Sequence, residues 1–222
     1  MLPLLRQCRT IVHNSVRAKD LNYFRSVLGN EHVLTQNIES YNEDWMKRFY
    51  GKSKCVLRPS STRDVSAILK YCNIEYLPVV IQSGKTSLVG GSVPVKDEII
   101  ITMGRMNKIL EFNDYSSIVT CDAGCILQDV EAYVNQKDHI LPMDLGAKGS
   151  CQVGGNISTH AGGLRYIKYG PLRGNVIGLT AVLSNGDILD LSNKMRKDNS
   201  GYDLKQLFIG SEGTLVITFI RE

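Results

Sequence analysis

The sequence predicts an α+β fold, with a small parallel α/β part followed by an antiparallel sheet with helices. Residues 55–81 show a strand–helix–strand pattern, which is typical of a βαβ unit with a parallel strand pair. Further along the chain, Asn185-Gly186 separates two apolar runs and predicts an antiparallel β-hairpin. The 222 residues are enough for one large domain or two small ones, and the chain contains no internal repeat.

The first nineteen residues have the composition of a mitochondrial targeting segment. Residues 1–19 mix Leu, Ile and Val with four basic residues and contain no acidic residue. An ordinary basic N-terminal helix is the alternative. Because four of the 26 basic residues lie there, the rest of the chain has 22 basic residues against 22 acidic ones. A neutral body argues against a nucleic-acid partner, and no apolar run approaches the ~18 residues of a transmembrane segment.

Residues 20–50 are interpreted as a lead-in, with a short helix expected over Asp20–Leu28, and the organised domain spans residues 51–222. In that domain Ser61–Asp64 has the form of a helix capping box. Behind it, apolar residues at helical spacing predict one buried stripe, formed by Val65, Ile68, Leu69 and Cys72. The flanking strand candidates are Cys55–Leu57 and Leu77–Ile81, the second of which is expected to be buried.

The remaining elements follow from short apolar runs bounded by turn residues. A helix is expected after Gly124, and a second one over Leu204–Ile209. The strand candidates are Ile99–Thr102, Met106–Phe112, Ile118–Asp122, Val176–Ser184, Ile188–Leu191 and Thr214–Ile220.

Two glycine-rich segments carry the functional signal. The first loop, Ser83–Gly91, follows a predicted strand, and the second stretch is Asp144–Gly163, where six of the eighteen residues from Gly146 onward are glycine. No Asp or Glu occurs from residue 145 to residue 186, whereas four Lys or Arg residues do. Bare backbone N–H groups on an acid-free surface suit an anionic ligand such as a nucleotide or its pyrophosphate. Tight turns between strands are the alternative interpretation.

Other nucleotide and metal sites fit the sequence poorly. Gly84-Lys85-Thr86 matches the end of a P-loop, but the leading glycine of that motif would stand at Val79. The next strand ends in Thr102 and offers no metal-holding Asp, which argues against nucleotide hydrolysis. A GxGxxG fingerprint is absent, so a nicotinamide Rossmann site is disfavoured. The six cysteines and four histidines lack zinc-ligand spacing, and no metal site is expected.

Four sequence blocks resemble one family. From about Tyr41 to Ile220 the chain is similar to the FAD-binding domain of the vanillyl-alcohol-oxidase type, also called PCMH type. Within that family it is most similar to the FAD-linked D-2-hydroxyglutarate dehydrogenases of mitochondria. The resemblance implies a two-subdomain FAD-binding fold. The blocks that carry it are Pro142–Cys151, Gly154-Gly155-Asn156, Ala161–Arg165 and Arg196–Leu215.

The resemblance also implies which residues hold the cofactor. In the family the first loop wraps the FAD pyrophosphate, the second stretch lies along the isoalloxazine and ribityl portion, and a Glu-Gly pair closes over the cofactor. The matching positions are Gly84, Lys85, Thr86, Ser87, Leu88, Val89, Gly90 and Gly91 in the first loop, Gly149, Ser150, Gly154, Gly155, Asn156, Thr159, Ala161 and Gly162 in the second stretch, and Glu212 with Gly213.

The implied chemistry is oxidation of D-2-hydroxyglutarate to 2-oxoglutarate with FAD as the hydride acceptor. Electrons would then pass to an electron-transfer flavoprotein in the mitochondrial matrix. The catalytic and metal-binding residues of the family are expected in a C-terminal domain beyond residue 222, so none is assigned here. Two alternatives stay open: the FAD domain of a D-lactate or glycolate dehydrogenase, and a degenerate, non-catalytic flavin-binding module. The second is favoured by Ser83, Lys85 and Ser87, because the family loop reads GGNTG.

Overall fold

The computed structural model describes residues 13–219. Residues 1–12 of the predicted targeting segment and residues 220–222 therefore lie outside the described residues. The first helix, α1, spans Ala18–Leu28 and so begins inside the predicted targeting segment. Arg17 precedes this helix and Lys19 lies within it. A side-chain nitrogen of each residue is 2.7 Å from Oε2 of Glu75. Arg17 and Lys19 thus contact the folded body of the protein through Glu75.

A four-stranded sheet forms the first half of the molecule. Its strands are β1 (Val33–Leu34), β2 (Val56–Leu57), β3 (Val79–Gln82) and β4 (Ile99–Thr102), in the spatial order β1-β2-β4-β3. The parallel orientation predicted for β2 and β3 is confirmed, but the two strands do not pair directly, because each pairs in parallel with β4, which lies between them. The first three residues of β4 are isoleucines with no exposed surface, and such a run is typical of a strand in a parallel sheet that is covered on both faces. As an edge strand β3 is only half-buried, contrary to expectation.

Helix α2 (Thr62–Ile74) covers this sheet, and its predicted start and buried stripe are both confirmed. Ser61 Oγ accepts from the backbone N–H of Asp64 at 3.1 Å, and the Asp64 carboxylate accepts from the N–H of Ser61 at 3.1 Å. The two bonds satisfy N–H groups that have no partner inside the helix. The apolar stripe of α2 packs in one core with Phe24 of α1 and with Ile99 and Ile101 of β4.

The middle of the chain contains an antiparallel pair and three helices. The pair consists of β5 (Ile109–Asn113) and β6 (Ile118–Cys121). The predicted strand over residues 106–112 starts later, at Ile109, because Met106 lies in a turn that bonds back to Met103. The helices are α3 (Leu127–Asn135), α4 (Val153–Ser158) and α5 (Tyr166–Tyr169). Short 3-10 turns occur at Asn30–His32, Glu39–Tyr41 and Leu172–Gly174.

The second half is built on an antiparallel sheet, as predicted. Its strands are β7 (Leu179–Leu183), β8 (Ile188–Leu191) and β9 (Val216–Phe219), in the order β8-β7-β9, with helix α6 (Lys205–Phe208) before β9. Leu179 and Ala181 of the central strand pack with Leu127 of α3 and Ile157 of α4 in a second core. No helix within residues 13–219 combines the length and the apolar content needed to cross a membrane.

Candidate functional site

A cavity of about 770 Å³ lies between the two halves of the molecule. The first loop, the second stretch and the segment before β9 all line it, together with β3 and β7. This volume is in the range of pockets that hold cofactors. Twelve of the eighteen predicted cofactor residues line this one cavity: Gly84, Lys85, Thr86, Ser87, Gly91, Gly154, Gly155, Asn156, Thr159, Ala161, Glu212 and Gly213.

The other six predicted residues lie beside the cavity wall or point away from it. Leu88 and Val89 are 56% and 74% exposed to solvent. Gly90 adopts φ +73° against the ring of Phe49, and Gly149 packs on the Gln128 side chain. Ser150 touches the first loop through its carbonyl, and Gly162 faces Tyr166. A cofactor-contacting role for these six residues stays a prediction.

The first loop and the second stretch pack directly against each other. A Cβ added at Gly84 would lie 2.2 Å from the carbonyl oxygen of Ser150 and 2.8 Å from Cα of Cys151. A Cβ added at Gly155 would lie 2.9 Å from Cβ of Ser83. Carbon atoms with normal van der Waals radii do not fit at these separations. Glycine at residues 84 and 155 is therefore required by the contact between the two segments, before any ligand is considered.

The backbone of the first loop offers a row of hydrogen-bond donors. The N–H groups of residues 84–88 have no acceptor within residues 13–219. Consecutive N–H groups of this kind form a concave site that suits a phosphate or another anion. Among the described residues that line the cavity, Lys85 is the only lysine or arginine. Backbone N–H groups, rather than side-chain cations, are thus the main donors available to an anionic ligand here.

Lys85 itself is directed towards the lead-in. Its Nζ donates to the carbonyl oxygen of Ser40 and, at 3.1 Å, to that of Glu43, and it lies 5.9 Å from the centre of the Tyr41 ring. Burial lowers the pKa of this ammonium below its ordinary value. The residue has φ +50°, a left-handed conformation in which a long side chain is uncommon. The ammonium of Lys85 is thus already hydrogen-bonded to two backbone carbonyls, those of Ser40 and Glu43.

Residues 145–186 contain no Asp or Glu, but acidic side chains from other parts of the chain lie next to them in the folded protein. Glu131 of α3 accepts from Lys148 at 3.1 Å and from Arg165 at 2.8 Å. Lys168 lies 5.1 Å from the centre of the Tyr169 ring, and Arg173 donates to His160 at 3.4 Å. The expectation of an uncompensated basic surface is therefore corrected, because acids outside the interval neutralise two of its four cations.

Sequence reasoning missed several residues that line the cavity. Ser83 begins the first loop, and Gly146, Ala147 and Cys151 lie in the block Pro142–Cys151, so their positions alone could have suggested them. Ser184 directly follows β7 and carries no motif signal. Gln152 also lines the cavity, and its buried Oε1 has no hydrogen-bond partner within residues 13–219. A buried acceptor without a partner is the kind of group that a bound ligand satisfies.

A second cavity, of about 860 Å³, opens between the β5–β6 pair, α3 and residues 191–206. It is slightly larger, yet none of the eighteen predicted cofactor residues lines it. The described residues also contain no cluster of three or more His, Cys, Asp or Glu side chains placed to hold a metal ion. The cavity between the two halves is thus the better candidate site.

The donors, shape and chemistry of this cavity fit an extended dinucleotide such as FAD. The free N–H groups at residues 84–87 suit a pyrophosphate, and residues 154–156 line the same cavity beside them. Unpartnered Gln152 Oε1 can accept a hydrogen bond from the ligand. The residues present are thus compatible with the cofactor that the sequence suggested.

Comparisons with known proteins give the same result. A D-2-hydroxyglutarate dehydrogenase of Arabidopsis thaliana, named as mitochondrial, is 52% identical over 94% of this chain. The D-2-hydroxyglutarate–pyruvate transhydrogenase DLD3 of Saccharomyces cerevisiae is 50% identical over 89% of it. The chain spans 38% and 41% of the lengths of these two relatives.

A solved structure of alkyldihydroxyacetonephosphate synthase superimposes with a TM-score of 0.81 over 94% of this chain and 40% of that chain. At 17% identity, this likeness shows the fold alone. The predicted α+β fold of PCMH type and the predicted cofactor FAD are confirmed. The family model described as a FAD binding domain matches residues 53–192, more than half of the chain, and the chain therefore belongs to the FAD-binding domain family.

Proposed function

We propose that this chain is the FAD-binding portion of a dehydrogenase that oxidises D-2-hydroxyglutarate to 2-oxoglutarate. The observation that carries the proposal is the 52% identity to the Arabidopsis D-2-hydroxyglutarate dehydrogenase over nearly the whole chain. The cavity supports it, because twelve of the residues expected to contact FAD line that one space. The chain spans 38% of that relative, so the activity belongs to a longer protein of this type.

In this proposal the chain's own task is to bind and orient the cofactor. The N–H groups of residues 84–87 hold the pyrophosphate, and residues 154–156 lie along the ring system. Glu212 and Gly213 bound the cavity from the C-terminal side. When bound, FAD supplies the two-electron step that converts the hydroxyl-bearing carbon of the substrate into a carbonyl.

Location and electron acceptor are part of the same proposal. The Arabidopsis relative is named as mitochondrial, which supports a mitochondrial location, and we place the protein in the matrix. An electron-transfer flavoprotein is the acceptor we expect there. The name of the yeast relative favours a second candidate, in which pyruvate takes up the reducing equivalents and no protein acceptor is needed. Reoxidation of the reduced protein by either acceptor, followed in a stopped-flow instrument, separates the two.

The first test is cofactor binding by the chain itself. Purified protein is incubated with FAD, freed of unbound cofactor on a desalting column, and scanned in the visible range. We expect flavin absorption to stay with the protein and FAD fluorescence to be quenched on titration. Folded protein that remains colourless would contradict the assignment and favour a degenerate, non-catalytic module that no longer binds the cofactor.

The second test is substrate choice, made on the protein in its full natural length and loaded with FAD. Under anaerobic conditions D-2-hydroxyglutarate should bleach the flavin absorption, whereas L-2-hydroxyglutarate should not. D-lactate and glycolate are the competing substrates. Faster bleaching by either of them would move the assignment to a D-lactate or glycolate dehydrogenase.

A further inference from the structure

The two ends of the second stretch meet and make it a closed loop. The N–H of Leu164 donates to the carbonyl oxygen of Asp144 at 2.9 Å. Between them, Gly163 has φ +102°, and a Cβ at this residue would lie 2.4 Å from the same oxygen. A left-handed glycine is thus needed where the chain returns to its starting point. The cavity-lining residues from Leu145 to Ala161 all lie inside this closed loop.

Four charged side chains bridge the ends of this loop to α3. Glu131 lies 3.1 Å from Nζ of Lys148 and 2.8 Å from Nη2 of Arg165. Asp144 lies 3.3 Å and 3.9 Å from the same two nitrogens. Each acid therefore faces both cations, and the set is neutral. We call these four residues the charge clasp.

The clasp is partly withdrawn from water, which distinguishes it from a surface ion pair. The side chains of Glu131 and Asp144 are 10% and 20% exposed, and those of Arg165 and Lys148 are 24% and 39% exposed. Hydrogen bonds to Glu131 and then Asp144 raise the pKa of Lys148 above its ordinary value. Removal of one partner from such a group leaves the remaining charges incompletely paired, which costs more than loss of an exposed pair.

Helix α3 also holds the loop through its backbone. The N–H of Leu127 donates to the carbonyl oxygen of Cys151 at 3.1 Å. The N–H of Gln128 donates to the backbone carbonyl oxygen of Lys148 at 3.0 Å. These bonds fix the middle of the loop, whereas Arg165 reaches its far end and also donates to the carbonyl of Leu141 at 2.6 Å. The clasp is therefore the connection between α3 and the returning end of the loop.

We propose that Glu131 is a positioning residue of the FAD site, which acts through Lys148 and Arg165 to hold the closed loop in its cofactor-binding form. Glu131 does not line the cavity, so its effect on the cofactor is indirect. This inference rests on the proposed function, because it presumes that the cavity binds FAD.

The test variant is Glu131→Gln, which removes the negative charge of the side chain but keeps its size and shape. We expect the dissociation constant for FAD to rise at least about tenfold, because the partly exposed Lys148 and Arg165 lose a counter-charge and release the end of the loop. In apo protein, backbone amides of residues 146–163 should exchange hydrogen faster than in the wild type. The matched control is Glu111→Gln, which removes an ion pair to Lys194 of 2.9 Å whose side chains are about half exposed. That control should change neither measurement.

A double variant tests whether the clasp acts as a unit. If Glu131 acts through Arg165, then Glu131→Gln combined with Arg165→Gln should weaken FAD binding little more than one change alone. Additive losses would contradict the clasp. Should Glu131→Gln fail to fold, Lys148→Gln replaces the more exposed partner, and the same two measurements apply.

The outcomes separate this inference from the proposed function. If wild-type protein binds FAD and Glu131→Gln binds it equally well, or binds it less well with unchanged amide exchange, the positioning role is overturned. If wild-type protein binds no FAD, the proposed function fails. The exchange rates of residues 146–163 then decide alone whether the clasp holds the loop.

Discussion

Gly84 and Gly155 lie where the first loop and the second stretch touch, with too little space for a side chain at either position. Gly91 is different, because a Cβ added there would have no neighbour within 4 Å. Glycines of the same cavity wall therefore serve different purposes. At residues 84 and 155 the missing side chain allows backbone to approach backbone, whereas at residue 91 the packing makes no such demand.

The first prediction at this scale compares Gly84→Ala with Gly91→Ala. The new methyl group at residue 84 would meet the carbonyl of Ser150 and push the two segments apart, so we expect a loss of about 1–3 kcal/mol in the free energy of unfolding. FAD binding should weaken as well. Gly91→Ala should change stability by less than about 0.5 kcal/mol. Urea denaturation of both variants measures the difference, and equal stabilities would refute the loop–loop contact.

At the scale of elements, local patterns predicted what each segment is, but not which segments pair. Two elements were predicted from local signals, and the structure confirms them. Helix α2 was predicted from its capping residues and apolar stripe, and the β7–β8 hairpin from its Asn-Gly turn. The insertion of β4 between β2 and β3 is a long-range choice that no spacing within residues 55–81 encodes. Strand β1 has only two residues, too few for an alternating pattern.

For the candidate site, too, local sequence patterns identified the segments involved but not their long-range contacts. Glycine density indicated the first loop and the second stretch, and they do share one cavity. The contribution of Ser184 depends on how β7 docks against the first half, which is a tertiary contact. The neutralisation of Lys148 and Arg165 by Glu131 likewise depends on α3 packing beside a segment of much later sequence. Charge counted along the chain could not show it.

A second prediction concerns the turn of the β7–β8 hairpin, which docks on α2. Ser66 Oγ donates to the carbonyl of Gly186 at 2.6 Å, and a Cβ at Gly186 would lie 2.6 Å from Cβ of Lys70. Gly186 also has φ +90°, so Gly186→Ala combines backbone strain with a clash and should cost about 2–4 kcal/mol of unfolding free energy.

Gly201→Ala is the matched control for Gly186→Ala. It shares the positive φ, at +83°, but has open space around the new methyl group, so about 1 kcal/mol is expected from strain alone. Thermal unfolding of the two variants separates the clash from the strain. An equal loss in both would show that the contact between the hairpin and α2 contributes nothing.

At the scale of the whole molecule, the candidate cofactor cavity lies at the interface between the two halves. The first core includes Val182 of β7, and the second core includes Leu127 of α3 and Ile157 of α4. The cavity is lined by β3 from one half and by β7 and the second stretch from the other. A ligand that fills it contacts both halves, so it binds the folded arrangement and not separated pieces.

The last prediction follows from this dependence of ligand binding on the folded state. A ligand that binds only the native state at 100 times its dissociation constant adds about 2.7 kcal/mol of stability. For a protein of this size each kcal/mol raises Tm by about 2–4 °C, so FAD should raise Tm by about 5–10 °C. The measurement is a thermal melt at several FAD concentrations, with ATP as the control ligand. ATP shares the adenine and phosphates but lacks the isoalloxazine ring, so it would fill less of the cavity and its shift should be smaller at equal concentration. Stabilisation by ATP without any by FAD would favour a P-loop nucleotide site at Gly84-Lys85-Thr86 and overturn the flavin assignment.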